Sequence, residues 1–378
     1  MKCIDEVPAG ELYGKRVIVR ADFNVPLDNS GKASDIFRLR KGWATIEFLA
    51  KAGAKVIVLS HIGRDPEESL APVAEALKQL GKVVYVPDLL GVMAQTAVRA
   101  MTGGEVLLLE NLRRDPRETE NGEDFAKELA AYGELYVDDA FAAAHRAHAS
   151  IVGIPKFLPH YYGLLMRDEV RALSAARTPQ APSFAILGGA KFETKAPLVR
   201  SLLATYDHFF ITGALANDVY KAKGFPVGIS VVSKELPSAE VLADPKFLAP
   251  IDVTVEQSDK QARVKKPEAV SGDEKIVDIG PDTVALIAPY IEQANFILWN
   301  GPTGLYEDGY THYTQAIAEL IEHAVARGAK AVIGGGDTIA SIEESGIDES
   351  KLGFLSTGGG AMLEFLLQGT LPGLDALN

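Results

Sequence analysis

Along nearly the whole chain, short runs of β-branched and aliphatic residues alternate with stretches of helical apolar spacing, and most runs close on Gly, Asn, Asp, His or Arg. KRVIVRADF (15–23), AKVIVLSHIG (54–63), KVVYVP (82–87), EVLLLENL (105–112) and ELYVDDAF (134–141) read as buried parallel strands, because a sheet covered on both faces needs continuous apolar runs rather than alternation. Between them, LRKGWATIEFLAKAG and SLAPVAEALKQLG carry apolar residues at helical spacing and end in Gly, a common helix stop. This alternation predicts an α/β fold built on doubly wound parallel sheets.

The pattern restarts after residue 180 with PSFAILGG (182–189), DHFFITGA (207–214), ANFILWNGP (294–302), AKAVIGGGD (329–337) and KLGFLSTGGG (351–360). A chain of 378 residues exceeds the roughly 250–300 at which single cores stop growing. Two domains are therefore expected, over 1–161 and 180–360. YGLLMRDEVRALSAARTP (162–179) reads as one amphipathic helix joining them and as the hinge element.

The net charge of -13 argues against nucleic acid or an acidic membrane as the main partner. It leaves room for an anionic substrate, provided the cations are focused in one cleft. No apolar run approaches the ~20 residues of a membrane span. The opening MKCIDEVPAG carries acids where a secretory signal has a basic and then an apolar stretch. The lone Cys3 builds neither an internal disulfide nor a thiolate metal site. A cytoplasmic location is the expectation.

Open parallel sheets bind ligands at the carboxyl ends of their strands, and the chemistry there divides between the halves. The first supplies Arg38, His61, Arg64, Arg113, His145 and Arg146, at loops and strand ends, as an anion site would require. Any one of them reads equally as surface charge. Asp22 and Asn24 either cap a turn before Pro26 or bind a substrate hydroxyl. His145 and His148 lack the further ligands a metal site needs.

The second half supplies glycine loops that open helices: Gly334, Gly335 and Gly336 before Asp337 and Thr338, then Gly358, Gly359 and Gly360, with Gly188-Gly189 as a third candidate. Glycine lets backbone N–H groups approach phosphate, and a helix N-terminus adds partial positive charge. No GxxxxGK[ST], GxGxxG or protein-kinase motif set is present, so a nucleotide site here is of another kind. Asp337 beside bound phosphate implies an intervening cation, and Mg²⁺ accepts one or two carboxylates plus phosphate oxygens. The alternative is a helix N-cap. Lys191 and Lys195, four apart in GGAKFETK, are expected to share a helical face, as nucleotide ligands or as a solvated pair.

Eight segments, VRADFNVPL, SHIGR, LLLENLR, AHRAHASIVGI, AILGGAK, WNGP, GGGDT and STGGGAMLEFL, resemble in order, and across essentially the whole chain, the signatures of the phosphoglycerate kinase family. The resemblance implies two Rossmann-like domains, with 3-phosphoglycerate on the first and Mg²⁺-bound ADP or ATP on the second. The tail 361–378 is then expected to return to the first domain. It implies reversible phosphoryl transfer from 1,3-bisphosphoglycerate to ADP. A monomer, with neither nucleic acid nor membrane as partner, is the further expectation. By position, Asp22, Asn24, Arg38, His61, Arg64, Arg113, His145 and Arg146 match the substrate patch. Arg38, Lys191, Lys195, Gly336 and Gly359 match the catalytic groups. Lys191, Lys195, Gly213, Asn300, Pro302, Glu307, Gly334 to Thr338 and Gly358 to Gly360 match the nucleotide contacts, and Asp337 the metal ligand.

The chain departs from the family at SHIGRD, DDAF, GGAKFETK and Ile211-Thr212-Gly213-Ala214-Leu215, the last in the expected adenine pocket. Asp65 and Asp138 are expected to add negative charge near the anion patch. Two rivals remain open at this stage: a catalytically silent nucleotide-binding protein on the same scaffold, and a nicotinamide-dependent dehydrogenase, which the missing GxGxxG disfavours.

Overall fold

The computed structural model describes residues 2–28 and 30–378, with Ser345 described by its backbone alone. Its contacts divide the chain into one unit running to Arg171 and including Thr370–Asn378, and a second over Ala172–Gly369.

In the first unit six strands, β1 (Arg16–Ala21), β2 (Lys55–Leu59), β3 (Val84–Val86), β4 (Val106–Leu109), β5 (Leu135–Asp139) and β6 (His160–Tyr162), form one sheet in the order β3-β4-β2-β1-β5-β6. Every pairing is parallel. Val17 and Val19 of β1 and Val56 and Val58 of β2 are buried against Leu39, Trp43, Ile46 and Leu49 of the helix Ile36–Lys51. That helix starts earlier than its apolar spacing alone predicts, because Asp35 caps it by accepting from Arg38 N at 2.9 Å. The tail helix Pro372–Ala376 belongs to this unit, with Gly373 N donating to Ala144 O at 2.8 Å.

The second unit holds β7 (Ser183–Leu187), β8 (His208–Ile211), β9 (Phe247–Leu248), β10 (Val253–Glu256), β11 (Ala262–Lys265), β12 (Lys275–Ile279), β13 (Phe296–Asn300), β14 (Lys330–Gly334) and β15 (Phe354–Ser356). Six of them form a parallel sheet in the order β15-β14-β13-β7-β8-β9. The other three form an antiparallel sheet, β11-β10-β12, which the strand reading did not include. All four residues of β11 carry exposed or half-exposed side chains, so it lacks the apolar run on which that reading relied.

The connecting helix runs Leu164–Arg177, because β6 takes the residues before it. Its first turn is tied within the first unit: Leu164 N donates to Thr45 Oγ1 and Met166 N to Asp139 Oδ1, each at 2.9 Å. Its last turn is held within the second, where Tyr206 Oη donates to Ala176 O at 2.7 Å. No helix is long and apolar enough to cross a membrane, among the described residues.

Candidate active site

In the first unit, Asp22 and Asn24 follow β1, His61 follows β2, and Arg113 follows β4 on the short helix Leu112–Arg114. All stand at carboxyl ends of adjacent strands. Arg38, one turn into its helix, donates from one terminal nitrogen to Asp22 Oδ2 at 3.3 Å and to Asn24 O at 3.2 Å. Its Nε lies 3.5 Å from Asp35. Asn24 Oδ1 accepts from Gly63 N at 2.9 Å, and Arg113 donates to the Gly63 carbonyl. Gly63 thus links the two sides of the cluster.

Burial would raise the Asp22 carboxyl, but Arg38 leads the charges that outweigh it and hold it below the usual carboxylate range. Burial, with Arg146 and Arg20 nearby, lowers the Arg113 guanidinium. Crowding of like charge at a strand-end site marks it as a candidate for receiving an anion. Arg146 Nε donates to His145 Nε2 at 3.1 Å on the exposed loop beyond β5. Arg64 is exposed on the turn after Gly63 and makes no hydrogen bond or ion pair with the described residues.

Asp138 departs from its expected effect. It is fully buried, and desolvation pushes its carboxyl up to about 7, so it is not a simple negative charge beside the patch. Asp65 is an exposed turn residue that accepts from Glu67 N at 3.0 Å.

In the second unit the chain reverses its direction of winding at β7 and β13, the position where doubly wound sheets open a crevice. The backbones there approach so closely that only glycine fits. A Cβ on Gly188 would stand 2.7 Å from Pro302 O, and one on Gly213 2.9 Å from Gly189 N. Beside this point lies a cavity of about 390 Å³, lined among others by Gly213, Pro302, Glu307 and Asp337 and by apolar Val231, Val253 and Leu305. That volume suits a nucleoside-sized ligand. In Ile211-Thr212-Gly213-Ala214-Leu215 only Gly213 has a left-handed φ (61°), so Thr212 and Ala214 stand there without backbone strain.

Four helices start at carboxyl ends of strands in this sheet: Phe192–Thr205, Ala214–Ala222, Gly336–Ser345 and Gly360–Gln368. The N-cap of the third is Gly335 (φ 98°), so Asp337 lies in the first turn and is not the cap. Asp337 receives a hydrogen bond from Tyr306 Oη at 3.4 Å. Thr338 is fully buried and accepts from Gly301 N at 2.8 Å, bracing the loop. Asn300, buried at the end of β13, donates to Met362 Sδ at 3.8 Å. Gly359 (φ 51°) caps the fourth helix.

The two lysines do not share a helical face. Lys191 precedes its helix in a left-handed conformation, φ 65° and ψ 72°, strained for a side chain with a Cβ. Lys195 lies in the first turn, with its Nζ 3.3 Å from where a Gly189 Cβ would stand. Burial lowers its ammonium, and the Asp337 carboxylate acts the other way.

Known proteins share this plan. The family model described as phosphoglycerate kinase matches residues 5–369. The chain belongs to the phosphoglycerate kinase family. It is 42% identical to the phosphoglycerate kinase of Moorella thermoacetica over 97% of both chains. It is 41% identical to that of Microcystis aeruginosa over 100% of this chain and 99% of the relative. Among solved structures, the phosphoglycerate kinase of Pyrococcus horikoshii superposes with a TM-score of 0.88 at 29% identity, over 100% of this chain and 98% of that one. The Coxiella burnetii enzyme gives 0.81 at 34%, over 99% and 98%. The chain is therefore a phosphotransferase with a carboxyl group as acceptor, and nothing in it favours the silent-scaffold or dehydrogenase readings.

Sequence reasoning passed over one arginine packed against this cation cluster. Arg20, fully buried in β1, contacts His61, and its neighbours Ser150 and Glu118 are buried too. The signal available was a charged residue inside an otherwise apolar strand.

Proposed function

We propose that the first unit binds 3-phosphoglycerate or 1,3-bisphosphoglycerate through Asp22, Asn24, Arg38, His61, Arg64, Arg113, His145 and Arg146, and that the second binds ADP or ATP at the β7/β13 cavity. The observation that carries this reading is the division of the site: cations crowd one sheet edge, while a cavity and four helix N-termini occupy the other. Gly213, Asn300, Pro302 and Glu307 would hold the nucleoside and its phosphates. The backbone of Gly334, Gly335 and Gly336, braced by Thr338, and of Gly358, Gly359 and Gly360 would face the phosphoryl groups.

No group of three or more ligating side chains gathers among the described residues. A hard cation held by Asp337 would then take most of its oxygens from phosphate and water, which suits Mg²⁺. When bound, Mg²⁺ neutralises charge on the terminal phosphates. The rest of the chemistry belongs to the chain. Phosphoryl transfer needs positioning and charge stabilisation rather than a covalent enzyme intermediate. Arg38 would orient the attacking carboxylate and meet charge developing on the equatorial oxygens. Lys195, with Lys191 beside it, and the amides of Gly336 and Gly359 would meet that charge from the nucleotide side. A cytoplasmic, monomeric enzyme is part of the same proposal.

The test is a coupled assay of Mg-ATP with 3-phosphoglycerate on wild type, Arg38→Ala and Lys195→Ala. Losing a group that acts mainly in the transition state lowers kcat by about 10²–10³. Variants that keep wild-type kcat would remove Arg38 and Lys195 from these roles.

A further inference from the structure

Arg20 is fully buried two residues before Asp22, so no ligand of the cation cluster reaches it. Its guanidinium is nevertheless held by three directed contacts. Nε donates to Ser150 Oγ at 2.9 Å, one terminal nitrogen donates to Ala21 O at 2.6 Å, and the other stands 3.1 Å from His61 Nδ1. Ser150 Oγ donates in turn to Glu118 Oε1 at 2.6 Å, which fixes the clamp from below.

We propose that Arg20 is a positioning residue that locks His61 in the neutral tautomer protonated at Nε2, making Nε2–H a directed donor to an anionic oxygen of phosphoglycerate. This rests on the reading that His61 belongs to the substrate site. A guanidinium has five N–H donors, no acceptor, and keeps its proton. The ring nitrogen facing it must therefore offer a lone pair. A proton on Nδ1 would set N–H against N–H. The competing acceptor, Asp22 Oδ1, lies 3.8 Å away, outside hydrogen-bond reach, and the other Asp22 oxygen is taken by Arg38. The single proton of the neutral ring then sits on Nε2, which makes no hydrogen bond with the described residues.

The groups around the ring keep it neutral. Burial and the guanidinium of Arg20 lower its pKa to about 3, with Arg113 and Arg146 acting alike and Asp22 opposing them. Arg38 stands on the far side of Asp22. A neutral donor among arginines gives direction to an anion without one more buried charge.

The test is a long-range ¹⁵N spectrum of the full chain labelled at histidine, recorded from about pH 5 to 8, the range in which an ordinary histidine changes charge. An unprotonated Nδ1 and a protonated Nε2, unchanged across that range and perturbed by saturating 3-phosphoglycerate, are expected. Protonation at Nδ1, or a midpoint near the ordinary 6.5, overturns the proposal. A ring signal unmoved by 3-phosphoglycerate overturns the site reading instead, and the donor role with it. A pair of variants supplies a kinetic readout. His61→Gln keeps an N–H near the Nε2 position, whereas His61→Asn keeps only the Nδ1 side. The KM for 3-phosphoglycerate is expected to be about ten- to a hundredfold higher in His61→Asn than in His61→Gln, the effect of one hydrogen bond to a charged group. Equal values would overturn the donor role. Arg20→Met, which removes every donor facing Nδ1, is expected where it folds to move the ring proton toward Nδ1, and an unmoved proton counts against Arg20.

Discussion

At the residue scale, Asp138 shows how a single carboxyl can work against the fold that holds it. Its Oδ1 accepts from Ala140 N at 3.0 Å, its Oδ2 has no partner, and none of it reaches solvent. Desolvation therefore outweighs the pull of Arg20 and raises the carboxyl from 3.8 to about 7. Between those values the folded chain holds a proton that the unfolded chain has released. Stability is consequently lost as pH rises through that window and does not return above it. Asp138→Asn removes the loss. Its stability relative to wild type, read from urea midpoints, should be higher at pH 8 than at pH 5 by at least about 1.4 kcal/mol, one pKa unit's worth. A difference independent of pH would show that the carboxyl is not held neutral. The pattern DDAF reveals the substitution, yet only the three-dimensional surroundings show that the first of the two acids is sealed. Arg20 was hidden for the same reason: a strand pattern tells which residues are inside, not which polar atoms meet there.

At the element scale, two glycines in neighbouring loops make opposite demands. Gly188 meets the carbonyls of Pro302 and Gly301 where β7 and β13 diverge. Gly188→Ala should therefore cost about 1–3 kcal/mol of stability by overpacking. Gly336 opens its helix with nothing within 4 Å of an added Cβ. Gly336→Ala should fold with a wild-type denaturation midpoint while raising the KM for ATP, because only a ligand would meet the new methyl. A midpoint loss in Gly336→Ala without a kinetic effect would reverse that assignment. The long apolar strands and the glycine-to-helix turns were legible because burial on both faces and backbone crowding leave a direct imprint on composition. The antiparallel sheet was not. β11 is an exposed edge, and an edge strand can be written in almost any polar residues. The lysine pair misled for another reason: spacing of four suggests a shared helical face, but Lys191 sits outside the helix in the left-handed region.

At the scale of the whole molecule, the cation cluster belongs to one unit and the cavity to the other, and the helix Leu164–Arg177 is hydrogen-bonded to the first unit at its start and to the second at its end. On the proposed assignment of one substrate to each unit, transfer would require the units to be brought together, which would also keep water from a reactive acyl phosphate. Small-angle scattering should then show a smaller radius of gyration with both substrates than with either alone, and a profile unchanged by both together would remove the hinge role of the helix. The division of labour itself is tested by initial rates with both substrates varied, on Arg113→Ala and Asp337→Ala. Arg113→Ala should raise the KM for 3-phosphoglycerate about tenfold or more and leave that for ATP in place, and Asp337→Ala should do the reverse. If either variant weakens the wrong substrate, or both substrates equally, the assignment of one ligand to each unit is contradicted.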